Sequence, residues 1–128
     1  MNFVRSLFIG FSLLTVAAVA NAQDEGVSVN KAQFTDKVDA SKPSGDADLA
    51  HARSVTYWLE VKNTKAPTHV TLVWKLDGHE VTRQSLDVGL SPAWKTWGSA
   101  GVHGAKTVEV DVLDEAGQTL KTDTLTAS

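Results

Sequence analysis

The stretch THVTLVWKLDGHEVTRQSLDV, residues 68–88, decides the fold. From Thr68 to Leu76 apolar residues recur at every second position, so that Val70, Leu72, Trp74 and Leu76 share one face of an extended strand. His79 to Val88 is a second run of strand length. Asp77-Gly78 joins them and suits a two-residue type I′ turn, whose central positions both need positive φ. An unbroken register through that turn sets Leu76 against His79, Lys75 against Glu80 and Trp74 against Val81, with His69 near Leu86. It predicts a Lys75–Glu80 cross-strand ion pair worth only a few tenths of a kcal/mol.

The same period extends towards the N-terminus. Ser54 to Lys62 carries Val55, Tyr57, Leu59 and Val61 on one face, and Thr56, Trp58, Glu60 and Lys62 on the other. Asn63 to Pro67 turns the chain. Val27 to Thr35 reads as a first strand whose halves have opposite parity, Val27 and Val29 against Ala32 and Phe34. A bulge near Asn30-Lys31 reconciles them. Asp36 to Arg53 has no strand pattern. Lys42-Pro43-Ser44-Gly45 marks a turn, and Asp46 to Arg53 reads as a solvated loop in preference to one helical turn capped by Asp46.

Beyond the hairpin, Gly89 to Pro92 is a loop and Ala93 to Gly98 a short strand holding Trp94 and Trp97. Ser99 to Ala105 is a glycine-rich loop. Lys106 to Leu113 is a strand with Val108, Val110 and Val112 inward and Thr107, Glu109 and Asp111 outward. Asp114 to Gly117 turns the chain into a last strand, Gln118 to Thr126. About seven strands, evenly spaced turns and no amphipathic helix imply an all-β protein, an immunoglobulin-like or fibronectin-like antiparallel β-sandwich.

Residues 1–22 have the form of a secretory signal peptide. Arg5 precedes an apolar run from Leu7 to Ala20, and Ala20-Asn21-Ala22 supplies an A-x-A cleavage pattern. The run is short for a membrane span, and no cysteine stands at the cleavage site to carry a lipid anchor. The expected domains are a cleaved leader, 1–22, and one sandwich, 23–128, with a loop at 36–53. The chain contains no cysteine, so its core must hold the fold without disulfides. That combination favours a bacterial periplasm or culture medium. The chain carries a formal charge of −3 and no basic run, which argues against nucleic acid and anionic lipid surfaces as partners.

Trp74, Asp77-Gly78, Val81, Leu86-Asp87-Val88-Gly89, Trp94-Lys95-Thr96-Trp97, Val108-Glu109-Val110 and Asp114-Glu115-Ala116-Gly117-Gln118-Thr119-Leu120 form a recurring order of strand and turn. Over residues 27–127, and best from Val55 onward, it resembles the bacterial domain of unknown function 2914 family. It departs at Lys106-Thr107, where that family has an aromatic residue opening the penultimate strand. The resemblance implies a β-sandwich. It implies no activity and no catalytic residue.

No residue pattern marks a catalytic, cofactor or metal site. His51, His69, His79 and His103 lack the close spacing of metal ligands. No G-x-S-x-G elbow is present. Glu109 and Asp111 share one side of one strand, as solubility charge does. Tryptophan stands out: the chain has four. Trp74 belongs to the core. Trp58 lies on the polar parity of its strand, while Trp94 and Trp97, three apart, point to opposite faces of an extended segment. Trp58, Trp94 and Trp97 are therefore the candidate binding surface. The expected function is a non-catalytic exported module that binds a protein or a cell-envelope component. A carbohydrate-binding module stacking sugars on exposed Trp is the alternative. A hydrolase whose acids converge only in three dimensions ranks third.

Overall fold

The computed structural model describes residues 26–127; the expected leader and its cleavage site lie outside them. Nine strands follow one another: β1 (Val27–Thr35), β2 (Lys37–Asp39), β3 (Lys42–Ser44), β4 (Ser54–Asn63), β5 (Thr68–Leu76), β6 (His79–Val88), β7 (Ser91–Gly101), β8 (Thr107–Leu113) and β9 (Thr119–Thr126). All pairs are antiparallel. They form a four-stranded sheet in the order β9-β8-β5-β6, a three-stranded sheet in the order β1-β4-β7 and a two-stranded β2-β3 hairpin. No helix occurs among the described residues, and none is long and apolar enough to cross a membrane.

One core joins the two larger sheets. Val55, Tyr57, Leu59 and Val61 from β4 pack in a single cluster with Val70, Leu72 and Trp74 from β5 and Val108, Val110 and Val112 from β8. Burial of each such side chain is worth about 1.5–3 kcal/mol, well above an exposed ion pair at about 0–1 kcal/mol. The alternation of these residues therefore dictates which face of each sheet turns inward.

Three side-chain bonds cross between the sheets: Asn63 of β4 donates to the Val88 carbonyl of β6 at 3.4 Å, and the other two lie one on each side of the core. The Tyr57 hydroxyl of β4 donates to the Asp123 carboxylate of β9 at 2.5 Å, and Lys121 reaches the same carboxylate at 3.5 Å. On the other side, the Gln84 amide of β6 donates to the Ser99 carbonyl of β7 at 2.7 Å. Its oxygen accepts the indole N–H of Trp74 at 2.9 Å. Trp74 is fully buried, so this acceptor satisfies a donor that water cannot reach.

Several sequence expectations change. The Asp77-Gly78 turn forms, with both residues at positive φ (49° and 87°). Leu76 meets His79 and Lys75 meets Glu80, but a bulge follows and Trp74 pairs with Thr82 instead of Val81. His69 accordingly faces Asp87 rather than Leu86. The reason is the core. An unbroken register would aim Arg83 and Ser85 inward, opposite Leu72 and Val70. The bulge flips the parity, brings Leu86 and Val88 to the inner face, and leaves Val81 half exposed.

The Lys75–Glu80 ion pair does not form. Lys75 turns to β8, where Glu109 lies at 3.4 Å and Asp111 at 3.2 Å, and Glu80 binds the Arg83 guanidinium at 2.8 Å. Two carboxylates on one neighbouring strand outbid one on the other. The bulge anticipated at Asn30 is present between Val29 and Lys31. The stretch 36–53 is not a bare solvated loop: it contains the β2-β3 hairpin and a turn in which Asp48 accepts from the backbone of His51 and Ala52, carrying Leu49 into the core. The strand expected at Ala93 to Gly98 is longer, because β7 runs from Ser91 to Gly101, into the start of the anticipated glycine-rich loop.

Candidate functional site

The three-stranded sheet has two faces of different fate. Its inner face lies on the core. Its outer face is ordered in rows by the strand register: Thr35, Thr56 and Ser99; Gln33, Trp58 and Trp97; Lys31, Glu60 and Lys95; then Ser28 and Lys62. The β2-β3 hairpin folds back over the Thr35 end of this face. Thr35 anchors it: the one proton of its hydroxyl has the carbonyls of Lys37, Ser44 and Gly45 within reach at 2.9–3.1 Å.

This hairpin decides the fate of Trp58. Its indole N–H donates to the Ser41 carbonyl at 2.9 Å, and only 4% of the residue remains exposed. Trp58 therefore does not belong to a binding surface, contrary to the expectation from its polar parity. The outward face it occupies is covered by a segment that strand periodicity does not register.

Trp94 and Trp97 are both exposed, at 37% and 40%, but they form no common platform. Trp94 pairs with inward-facing Val61 and Trp97 with outward-facing Trp58, so the two rings belong to opposite faces of β7. Trp94 sits at the end of the sheet against Gly89, where a β-carbon would come within 2.7 Å of its ring. Close packing on bare backbone identifies Trp94 as a plug for that end, continuous with exposed Leu90. Trp97 stands on the outer face, 40% exposed.

Around Trp97 the face is polar. Lys95 lies two residues away on the same strand and the same side. Glu60, between Lys31 and Lys95 in its row, accepts from the Asn30 amide at 3.2 Å and lies 3.8 Å from the Lys95 ammonium. Asn30 also donates to the Pro92 carbonyl at 3.0 Å, tying the β1 bulge to the start of β7. Among the described residues, neither Lys31 nor Lys62 has a carboxylate within ion-pair reach.

The other outer face, on β9-β8-β5-β6, is internally paired. Lys75 is held by Glu109 and Asp111, and the Thr122 hydroxyl donates to Asp111 at 2.7 Å. Burial pushes the Asp111 carboxyl up, but the Thr122 hydroxyl and the Lys75 ammonium together outweigh it and hold it below its ordinary range. Hydrogen bonding to Asp111, with the charges of both acids, raises Lys75. Glu109 and Asp111 are thus engaged with a cation on an open sheet.

A cavity of about 470 Å³ lies at one end of the molecule, where the β4-β5 and β8-β9 turns meet, lined by Val27, Asn63, Pro67, Asp114 and Glu115 among others. Its Asn63, Asp114 and Glu115 side chains are already committed. Asn63 donates to the Ala66 and Gly89 carbonyls and accepts from Lys65 N–H. Asp114 accepts from the backbone of Ala116 and Gln118, and Glu115 accepts from the Thr68 hydroxyl. Among the described residues no group of three or more His, Asp or Glu side chains is placed to hold a metal ion. His51 pairs with Asp48 at 2.8 Å on the exposed turn.

Comparison with protein-family models gives no match, and none is found among curated proteins.

Proposed function

We propose that the chain is a non-catalytic binding module of the bacterial periplasm or exterior, which holds a protein or cell-envelope component on the outer face of β1-β4-β7. The reading takes the two larger sheets as an immunoglobulin-like β-sandwich, seven long strands with the β2-β3 hairpin added, as the likeness to the domain of unknown function 2914 family implies. The leader-like residues 1–22 support export.

One observation carries the reading. The fold buries the indole of Trp58 and satisfies its N–H, yet leaves Trp97, directly across the ladder on the same face, 40% in water. An exposed aromatic ring within a polar surround is the composition of an interaction hot spot.

Co-sedimentation of the protein with a bacterial envelope fraction tests it. Trp97→Ala lowers the apparent affinity at least about tenfold, equivalent to about 1.4 kcal/mol. Trp94→Ala, which alters only the end plug, leaves it within about twofold, a difference of about 0.4 kcal/mol. Equal retention of the wild type and Trp97→Ala, with both folded by circular dichroism, removes the face as the site.

A further inference from the structure

We propose that the occupant of this face is an anionic polysaccharide whose sugars carry carboxylates, with the Trp97 indole stacked on a sugar ring and Lys31, Lys62 and Lys95 opposite the carboxylates. The proposal rests on the reading of the β1-β4-β7 outer face as a binding surface and names the chemistry that fills it.

Charge is the first ground. The chain as a whole is acidic, at −3, but the uncovered part of this face holds three lysines and one carboxylate. The register sets Lys31 and Lys95 on either side of Glu60, with Lys62 two positions along β4. The Glu60 side chain is only 13% exposed and is occupied by Asn30 and Lys95, so it offsets Lys95 and leaves the face a net charge of +2 from Lys31 and Lys62. Strands lie about 4.8 Å apart and rise about 3.4 Å per residue. The backbone positions of the three lysines therefore span a patch of about 10 by 7 Å, comparable to the Debye length of about 8 Å at physiological ionic strength. Their attraction reaches a polyanion as one field. The hairpin that covers Trp58 sets Asp39 opposite Lys42 and carries Asp36 next to Lys37, so it adds no net charge to the face. The opposite outer face carries Glu80, Asp87, Glu109 and Asp111 against Lys75 and Arg83, and repels the same ligand. A polyanion is thus admitted on one side only.

The form of the surface is the second ground. An extended polypeptide docks by adding to a free strand edge or by seating side chains in pockets. Here the free edges belong to β1 and β7 at the sides of the sheet, whereas on the face itself β4 is paired on both edges and the cavity lies away from it. What the face offers is a ring plane, the exposed Gln33 amide, the Ser28 hydroxyl and three long-stemmed ammonium groups. A ring plane accepts the apolar face of a sugar, the amide and hydroxyl meet its hydroxyl groups, and ammonium groups meet its carboxylates.

The test titrates the protein with polygalacturonate, with its fully methyl-esterified, uncharged counterpart and with poly-L-glutamate, each at low and high salt, following tryptophan emission. The expected result is binding to polygalacturonate that falls at least tenfold with Trp97→Ala, at least fivefold with the Lys31→Gln/Lys62→Gln double variant, and comparably on raising salt. The ester and poly-L-glutamate bind at least tenfold more weakly. Equal binding of the ester overturns the role of charge. Equal binding of poly-L-glutamate, insensitive to Trp97→Ala, overturns the sugar and assigns an acidic polypeptide. If no polymer binds while the envelope fraction still retains the protein through Trp97, the anionic glycan is wrong and the binding face stands. If retention is also independent of Trp97, both fall.

Discussion

Gly98 and Gln84 offer a close test of how the two sheets are held. Gly98 lies on the inner side of β7, opposite Tyr57. A β-carbon there would sit 2.3 Å from the Gln84 side-chain oxygen and 3.1 Å from Leu72 Cδ1. The oxygen must leave, although it belongs to a flexible side chain, and its departure has consequences. It is the acceptor for the Trp74 indole N–H at 2.9 Å, in a residue with no exposed surface, and the amide nitrogen holds the Ser99 carbonyl. Orphaning the buried N–H costs about 1–3 kcal/mol and losing the second bond about 0.5–1.5 kcal/mol. Replacing glycine by alanine on an ordinary extended backbone returns about 0.4–1 kcal/mol through the unfolded chain. Gly98→Ala should therefore destabilise by about 1–3 kcal/mol. In a Gln84→Ala background the donor is already orphaned and the collision partner is gone. There Gly98→Ala should fall within about 0.5 kcal/mol of neutral, since only the Leu72 contact opposes the entropic gain. The double-mutant cycle, read from urea unfolding, should give a coupling of about 1–3 kcal/mol. Additivity of the two substitutions to within about 0.5 kcal/mol would refute the collision and the role assigned to Gln84.

Two predictions concern titration. Tyr57 is the only tyrosine of the chain, and burial first, then its hydrogen bond to Asp123 and the charge of Asp123, push its hydroxyl far above the usual range. Its folded pKa is raised, so the stability it contributes is complete below its ordinary pKa of about 10 and drains away as pH rises beyond it. Tyrosinate absorbance should therefore appear only together with unfolding, and a simple titration near pH 10 with the fold intact would contradict the buried placement. Asp111 is shifted the other way, so its contribution is present above about pH 4 and is lost as pH falls through its lowered folded value. Thr122→Val should reduce the fall in urea midpoint between pH 7 and pH 3; an unchanged fall would show that the hydroxyl does not support the carboxylate.

The long strands were legible because each carries one strict apolar face: Val55 to Val61, Val70 to Leu76 and Val108 to Val112. The bulge at Asn30 was legible too, since Val27 and Val29 conflict in parity with Ala32 and Phe34. The same conflict stood in β6, where Val81 has the opposite parity to Leu86 and Val88, and the Asp-Gly turn hid it by suggesting that register runs on unbroken. The β2-β3 hairpin left no such trace. Its strands have three residues each, and its tip places Ala40 and Ser41 at positive φ, 51° and 65°, without the glycine or asparagine that usually announces it. Burial of Trp58 depends wholly on that hairpin, so local alternation could only report its polar parity. The opposite facing of Trp94 and Trp97 follows from spacing alone, whereas their exposure depends on where the second sheet ends.

The choice between the two outer faces turns on which polar groups already have partners. Tyr57–Asp123 and Gln84–Ser99 close the core on either side, and both bonds are internal. On β9-β8-β5-β6 the charges are likewise spent on one another: Lys75 on two acids, Arg83 on Glu80, Asp111 on Thr122 as well. A ligand binding there must first break contacts that the fold has made. On β1-β4-β7 the hairpin covers one half, and the other half holds two lysines without a carboxylate in reach and an indole 40% exposed. Binding on that half displaces water rather than protein partners. The same few side chains can therefore yield more net affinity there than on the paired face.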